Sequence, residues 1–180
     1  YRPFLLGALF REIGTPNVPI AAASDAKRRH YLADMARWAD HYGVRFRFPS
    51  RFPMNSVRPL RVAISLPEER RRAVVLPIFE AFWADDRDIS DDAVLRDVLL
   101  RAGFNEADAD AALANTKDEA IKAELKAATD QAKALGICGA PSFLVGDLLF
   151  WGQDRLLFVE KALAGWRPAS EPRPSPRQEP

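Results

Sequence analysis

The stretch Gly139-Ala140-Pro141-Ser142-Phe143 constrains this chain most strongly. It follows a long helical pattern that ends at Gly136. It precedes two short apolar runs, Ser142-Phe143-Leu144-Val145 and Leu148-Leu149-Phe150-Trp151, parted by Gly146-Asp147. Short, partly β-branched runs around a Gly-Asp turn read as a β-hairpin. Gly152 breaks the second run, and a last helix is expected from about Asp154 to Leu163, with Leu156, Val159 and Leu163 inward. The order is therefore long helix, proline loop, hairpin, helix. A proline between a helix and a strand, preceded by a small residue, is a common place for a cis peptide bond. An ordinary trans proline opening a strand is the alternative.

The rest of the chain is helical in pattern. Tyr31, Met35, Trp38 and Tyr42 recur at three- and four-residue steps within residues 26 to 42, making one apolar face that Gly43 closes. A helix is expected from Ser56 to about Leu66. Pro67, Glu68 and Glu69 open the next, and Pro77 within it predicts a kink or a break. Ser90, Asp91 and Asp92 cap a helix carrying Val94, Leu95, Val98 and Leu99, and Asn105 caps a short one after it. Thr116 and Glu119 read as a capping box for a long helix with Ile121, Leu125, Ala128, Ala132 and Leu135 inward. Tyr1-Arg2-Pro3-Phe4 reads as the tail of a strand, and Leu5 to Ile13 as a short helix closed by Gly14. From Gly165 onward, five of the chain's 14 prolines fall in a stretch with little to bury after Trp166, which reads as a disordered or polyproline tail.

Size and charge narrow the function classes. With 180 residues, 48% of them hydrophobic, the chain can build a real core. A net charge of +1 gives no strong field to recruit nucleic acid or an anionic membrane. One cysteine excludes an internal disulfide framework and points to a reducing, cytoplasmic compartment. No apolar run approaches the ~20 residues of a membrane span. Cys138, with no partner cysteine, reads as a small buried hydrophobe, a reactive thiol being the alternative. His30 and His41 share no helical face and have no ligand companions, so no metal is expected. The acidic group Asp85, Asp86, Asp88, Asp91 and Asp92 lacks EF-hand order and reads as a solvated loop and cap.

Two strands rarely make an independent sheet, and the apolar faces of the two C-terminal helices call for about four. The expectation is therefore that a strand and a helix, about 30 to 40 residues, precede Tyr1. Gln153 and Asp154 open the last helix. Asp154 can be a plain cap there. Alternatively its carboxylate can bind a free ammonium group while Gln153 and nearby N–H groups take the adjoining carboxylate, a pairing that fits an α-amino-acid head.

Taken together, the proline loop and Phe150-Trp151-Gly152-Gln153-Asp154-Arg155 resemble the 2-hydroxychromene-2-carboxylate isomerases and the related kappa-class glutathione transferases, within the wider DsbA-like group. Arg2-Pro3-Phe4-Leu5-Leu6-Gly7, the helix Tyr31 to Ala39 and the loop Phe48 to Ser56 extend the resemblance over Tyr1 to Leu163. It implies an α/β fold: a thioredoxin-like sheet with a large all-helical insertion, its first strand and first helix absent from the chain. Residues 1–14 and 116–164 would form the thioredoxin-like part, 15–115 the insertion and 165–180 the tail.

The resemblance also implies roles. Glutathione is the expected cofactor and a small aromatic molecule the expected substrate. Ala140 would offer backbone hydrogen bonds beside a cis Pro141, and Gln153 and Asp154 would hold the γ-glutamyl head. Lys27 or Arg28 would face the glycyl carboxylate, although with Arg29 they also read as a solvated basic run. Asn17 would join the site, but Thr15 and Pro16 separate it from Gly14, unlike the family pattern. Phe52, Asn55 and Trp151 would line the aromatic pocket. Core packing for Phe52 and Trp151, and helix capping for Asn55, are the alternatives. The family's catalytic serine would lie before Tyr1. The implied activity is glutathione-dependent isomerisation in aromatic catabolism, with a kappa-like transferase, a DsbA-like thiol oxidoreductase and a non-catalytic glutathione-binding fragment as alternatives. Family analogy also implies a homodimer.

Overall fold

In the computed structural model, which describes residues 1–170, the elements follow from local chemistry and fall into two units, Tyr1–Gly136 and Ile137 onward. The first unit holds α1 (Leu6–Glu12), α2 (Asp25–His41), α3 (Val57–Ser65), α4 (Glu68–Trp83), α5 (Asp92–Arg101), α6 (Glu106–Asn115) and α7 (Glu119–Ala134). Asp91 and Asn105 cap α5 and α6 through their side chains, as the sequence predicts. Pro77 neither breaks nor ends α4, which runs through it.

The core of this unit forms where α3 meets α4, α6 and α7 and where α5 packs on α4 and α6. Leu95, Leu99, Val62 and Val74 are fully buried there. Arg71 closes the end of α3: its guanidinium donates to the carbonyls of Ala63, Ile64 and Leu66, at the helix end where carbonyls run out of helical donors, and also to that of Tyr1 at 3.0 Å. Against α7, α1 seats the fully buried Leu9, and the Leu5 N–H donates to the buried Thr129 hydroxyl at 3.0 Å.

Several expectations are corrected. Residues 1–5 form no strand, so among the described residues the sheet is the expected hairpin alone. Pro3 removes one N–H donor from that stretch. The cap of α7 is Asp118, whose carboxylate accepts from the Ala120 N–H at 2.8 Å. Thr116 instead ends α6, with its buried hydroxyl donating to the Leu113 carbonyl at 2.6 Å. Leu135 is 44% exposed, and Thr129 takes a buried position on α7 beside Leu125 and Ala132. No residue of α2 is buried; on its apolar face Tyr31 and Tyr42 are exposed and Met35 and Trp38 half-buried.

The second unit holds β1 (Ser142–Val145), β2 (Leu148–Trp151), a 3₁₀ turn (Gln153–Arg155) and α8 (Leu156–Leu163). The strands pair antiparallel around Gly146-Asp147, and Gly146 takes the left-handed φ of 62° that a tight hairpin turn requires. Leu163 is 71% exposed and Ala162 is buried in its stead beside Val159. Within the stretch expected as a tail from Gly165, residues 166–170 form no helix or strand. Trp166 lies 5.9 Å from the Phe158 ring and Arg167 pairs with Asp147. The remainder of the expected tail, 171–180, lies outside the described residues.

Candidate functional site

The hairpin register places Ser142 opposite Trp151, so Pro141 just before β1 and Gly152 just after β2 come side by side. The Gly152 N–H donates to the Pro141 carbonyl at 2.9 Å. The Ala140–Pro141 peptide is cis. Behind it the Ser142 hydroxyl donates to the Gly139 carbonyl at 2.7 Å. The Trp151 indole lies directly on Gly139, where an added Cβ would sit 2.3 Å from the ring nitrogen. Gly152 has φ +107°, and a Cβ there would sit 2.4 Å from Asp154 Oδ1. Two glycines thus let the proline loop, the indole and the Asp154 carboxylate approach more closely than any other residue would permit.

What this cluster leaves unpaired defines its chemistry. Among the described residues, neither the N–H nor the C=O of Ala140 has a hydrogen-bond partner, and the residue is exposed. One free donor and one free acceptor on the same residue can pair with an extended peptide backbone as a strand edge does. At the 3₁₀ turn, the N–H groups of Gln153 and Asp154 are likewise unpaired among the described residues, as first-turn donors are. Asp154 Oδ2 holds its neighbour Arg155 at 2.7 Å, in the open. Free N–H groups beside a carboxylate suit a ligand end that carries both charges. Trp151, 55% exposed, offers an aromatic face next to them. Cys138 is exposed, against the expectation of burial. Gly139 is the contributor that sequence reasoning undervalued; a glycine two residues before the proline was the available signal.

The remaining candidates belong to the first unit. Asn17 folds onto α1, its Oδ1 lying 2.7 Å from where a Cβ on Gly7 would be. Lys27 and Arg28 open α2 in the exposed first turn, the Lys27 N–H capped by Ser24 and the Arg28 guanidinium 3.3 Å from Asp25. Asn55 accepts from the Val57 N–H at 3.1 Å, so its side-chain oxygen is engaged at the start of α3. Phe52 is half-buried against the helical core, 5.9 Å from the Trp83 ring and 5.1 Å from Phe48.

The loop bearing these rings is tied to the end of α4. The Ser50 N–H and hydroxyl donate to Asp86 Oδ1 at 2.8 and 3.0 Å. These bonds, the backbone one first, hold the Asp86 carboxyl below the usual carboxylate range. Among the described residues no group of three or more His, Cys, Asp or Glu side chains is placed to hold a metal ion, and no helix is long and apolar enough to cross a membrane.

Comparison with known proteins gives a consistent picture. A model of the DSBA-like thioredoxin domain matches residues 1–164. The 2-hydroxychromene-2-carboxylate isomerase of Sphingobium xenophagum is 30% identical over 162 residues, covering 86% of this chain and 81% of that protein. The enzyme of the same name from Pseudomonas putida is 25% identical over 138 residues, 76% of this chain and 66% of that one. A solved 2-hydroxychromene-2-carboxylate isomerase superposes with a TM-score of 0.75 at 25% identity, over 90% of this chain and 77% of that structure.

Proposed function

The chain belongs to the DSBA-like thioredoxin family and is a homologue of the 2-hydroxychromene-2-carboxylate isomerases, and from that premise we propose that it is a glutathione-dependent isomerase of 2-hydroxychromene-2-carboxylate or a closely similar aromatic compound. The observation that carries the reading is the adjacency of the proline loop and the Asp154 turn, locked by the Gly152–Pro141 hydrogen bond at 2.9 Å. The residues present fit glutathione. The free N–H and C=O of Ala140 match the backbone of its cysteinyl residue, and Asp154 with the open N–H groups at Gln153 and Asp154 matches the zwitterionic γ-glutamyl head. The glycines at 139 and 152 let the Trp151 indole and the Asp154 carboxylate close onto the loop, where a Cβ would hold them off.

When bound, glutathione supplies a thiol that adds reversibly to a conjugated double bond and so permits rotation about it. The chain's own residues orient and select. Ala140 fixes the tripeptide backbone in register, Pro141 removes an N–H that would compete for it, and Asp154 sets its polarity by charge. Trp151 offers an apolar face to a planar substrate. Of the first unit's residues, Lys27 or Arg28 is assigned to the glycyl carboxylate, Asn17 to glutathione, and Phe52 and Asn55 to the aromatic substrate. The assignments to a cytoplasmic setting and to a homodimer rest on the same reading.

The test measures isomerisation of 2-hydroxychromene-2-carboxylate by absorbance, with and without glutathione, alongside calorimetric binding of glutathione. Turnover that requires glutathione, and a roughly tenfold or greater loss of glutathione affinity in Asp154→Ala, are expected. No binding of glutathione, or equal binding by the variant, would overturn the reading. Accumulation of a glutathione conjugate in place of isomer would assign the transferase chemistry instead.

A further inference from the structure

Residues 43–55 contain no helix or strand, yet they carry Phe46, Phe48, Phe52 and Asn55. A segment without its own secondary structure keeps its side chains in place only through contacts with something rigid. Here the rigid element is the end of α4. The Arg47 N–H donates to the Trp83 carbonyl at 2.6 Å, and the rings of Phe46, Phe48 and Phe52 all lie around the Trp83 indole, at 6.0, 6.2 and 5.9 Å. Three residues further on, Asp86 gathers the other side of the loop. Its Oδ1 accepts both Ser50 groups, and its Oδ2 faces the Arg47 guanidinium at 3.3 Å. Asp85 beside it holds Arg45 at 2.8 Å.

Asp86 is also unusual in its backbone. Its φ of 54° is the one positive value outside glycine among the described residues. A side-chain-bearing residue is uncommon in that region, and aspartate and asparagine are the types that tolerate it best. The turn therefore accepts an unfavourable conformation while aiming a carboxylate, 13% exposed, into the loop. The carboxylate caps no helix, and its partners lie 36 and 39 positions away, at Ser50 and Arg47.

We propose that Asp86 is a positioning residue for substrate recognition: by fixing Ser50 and Arg47 it sets the placement of the loop through which Phe52 and Asn55 meet the aromatic substrate, an inference that rests on the pocket role given to those two residues above. Asp86 itself touches no substrate. Its contribution is to spare the loop an ordering cost at the moment of binding.

Two variants separate this role from mere stability. Asp86→Gly removes the carboxylate while accepting the left-handed backbone, so the fold is retained. Asp86→Asn keeps both the backbone preference and an oxygen acceptor for Ser50. Binding of 2-hydroxychromene-2-carboxylate is measured by calorimetry, KM and kcat by absorbance, and loop order by amide hydrogen exchange. For Asp86→Gly the expectation is faster exchange at Ser50, a Kd and KM raised about tenfold, and kcat changed by less than about twofold. Asp86→Asn is expected to recover most of the lost affinity. Unchanged Kd in Asp86→Gly overturns the proposal, as does an equal fall in kcat without a change in KM. Binding without turnover in the wild type would overturn the isomerase reading but leave the Asp86 claim to be decided by the two Kd values. No binding in the wild type removes the pocket role of the loop, and the proposal with it.

Discussion

Leu9, Leu95 and Leu99 of the helical unit are fully buried, whereas Leu144, Trp151, Leu157 and Leu163 of the hairpin unit are 49%, 55%, 57% and 71% exposed. Both units are rich in large apolar residues, so composition does not separate them. Geometry does. Helices α3 to α7 pack on one another and bury Val62, Val74, Leu95, Val98 and Leu99, although Leu76 and Phe79 of α4 stay exposed. A hairpin of four-residue strands and one eight-residue helix has too little surface to enclose more than Leu148, Val159 and Ala162. The same lack of enclosure leaves the backbone of Ala140 and the face of Trp151 open. Stability is thus concentrated in one unit and the free binding groups of the proline loop in the other.

The comparison can be broken most directly in the core. Leu99→Ala deletes a fully buried side chain where α4, α5 and α6 converge, and it is expected to cost about 2–5 kcal/mol in urea or thermal unfolding. Glutathione affinity of the protein that remains folded should be unchanged. A loss of less than about 1 kcal/mol would mean that the helical unit is not where cohesion resides.

A smaller effect of opposite kind is expected at Gly139. A Cβ there would sit 2.3 Å from the Trp151 ring nitrogen and 2.6 Å from the adjacent ring carbon, so Gly139→Ala must push the indole off the proline loop. Glutathione affinity should fall about tenfold and indole fluorescence should shift, while the unfolding midpoint of the helical unit stays within a few degrees. If Gly139→Ala instead lowered stability as far as Leu99→Ala, the division of labour between the two regions would be wrong.

How much of this could be read from the sequence depends on how far apart the interacting residues lie. The hairpin, its turn and the pairing of the Pro141 end with the Gly152 end were legible, because a two-residue turn fixes which residues face each other. Asp91 and Asn105 were legible as caps because a cap is settled within three residues. The failures over burial have one origin. Periodicity states which residues share a face and is silent on what covers it. Tyr31, Met35, Trp38 and Tyr42 do share a face of α2, and their own unit buries none of them. Leu135 and Leu163 were expected inward on the same grounds and are exposed. Arg71, which gathers four carbonyls, and Asp86, which reaches Arg47 and Ser50, left no trace in the local pattern because their partners are distant in the chain or belong to another element's end.

The start of α7, a local reading that the structure overturns, offers the smallest and sharpest test. Thr116 and Glu119 have capping-box spacing, but the structure gives the cap to Asp118. Thr116 is 1% exposed and donates backward to Leu113, while Glu119 pairs forward with Lys122 at 2.6 Å rather than reaching back. If the cap belongs to Asp118, Asp118→Ala should cost about 1 kcal/mol, through the lost bond to the Ala120 N–H at 2.8 Å and the lost charge at the positive end of the helix. Glu119→Ala should then stay within about 0.5 kcal/mol, since its ion pair is exposed. The reverse order would restore the capping box. It would also shift the first turn of α7 upstream toward Thr116, the residue whose carbonyl Arg61 of α3 contacts at 3.4 Å.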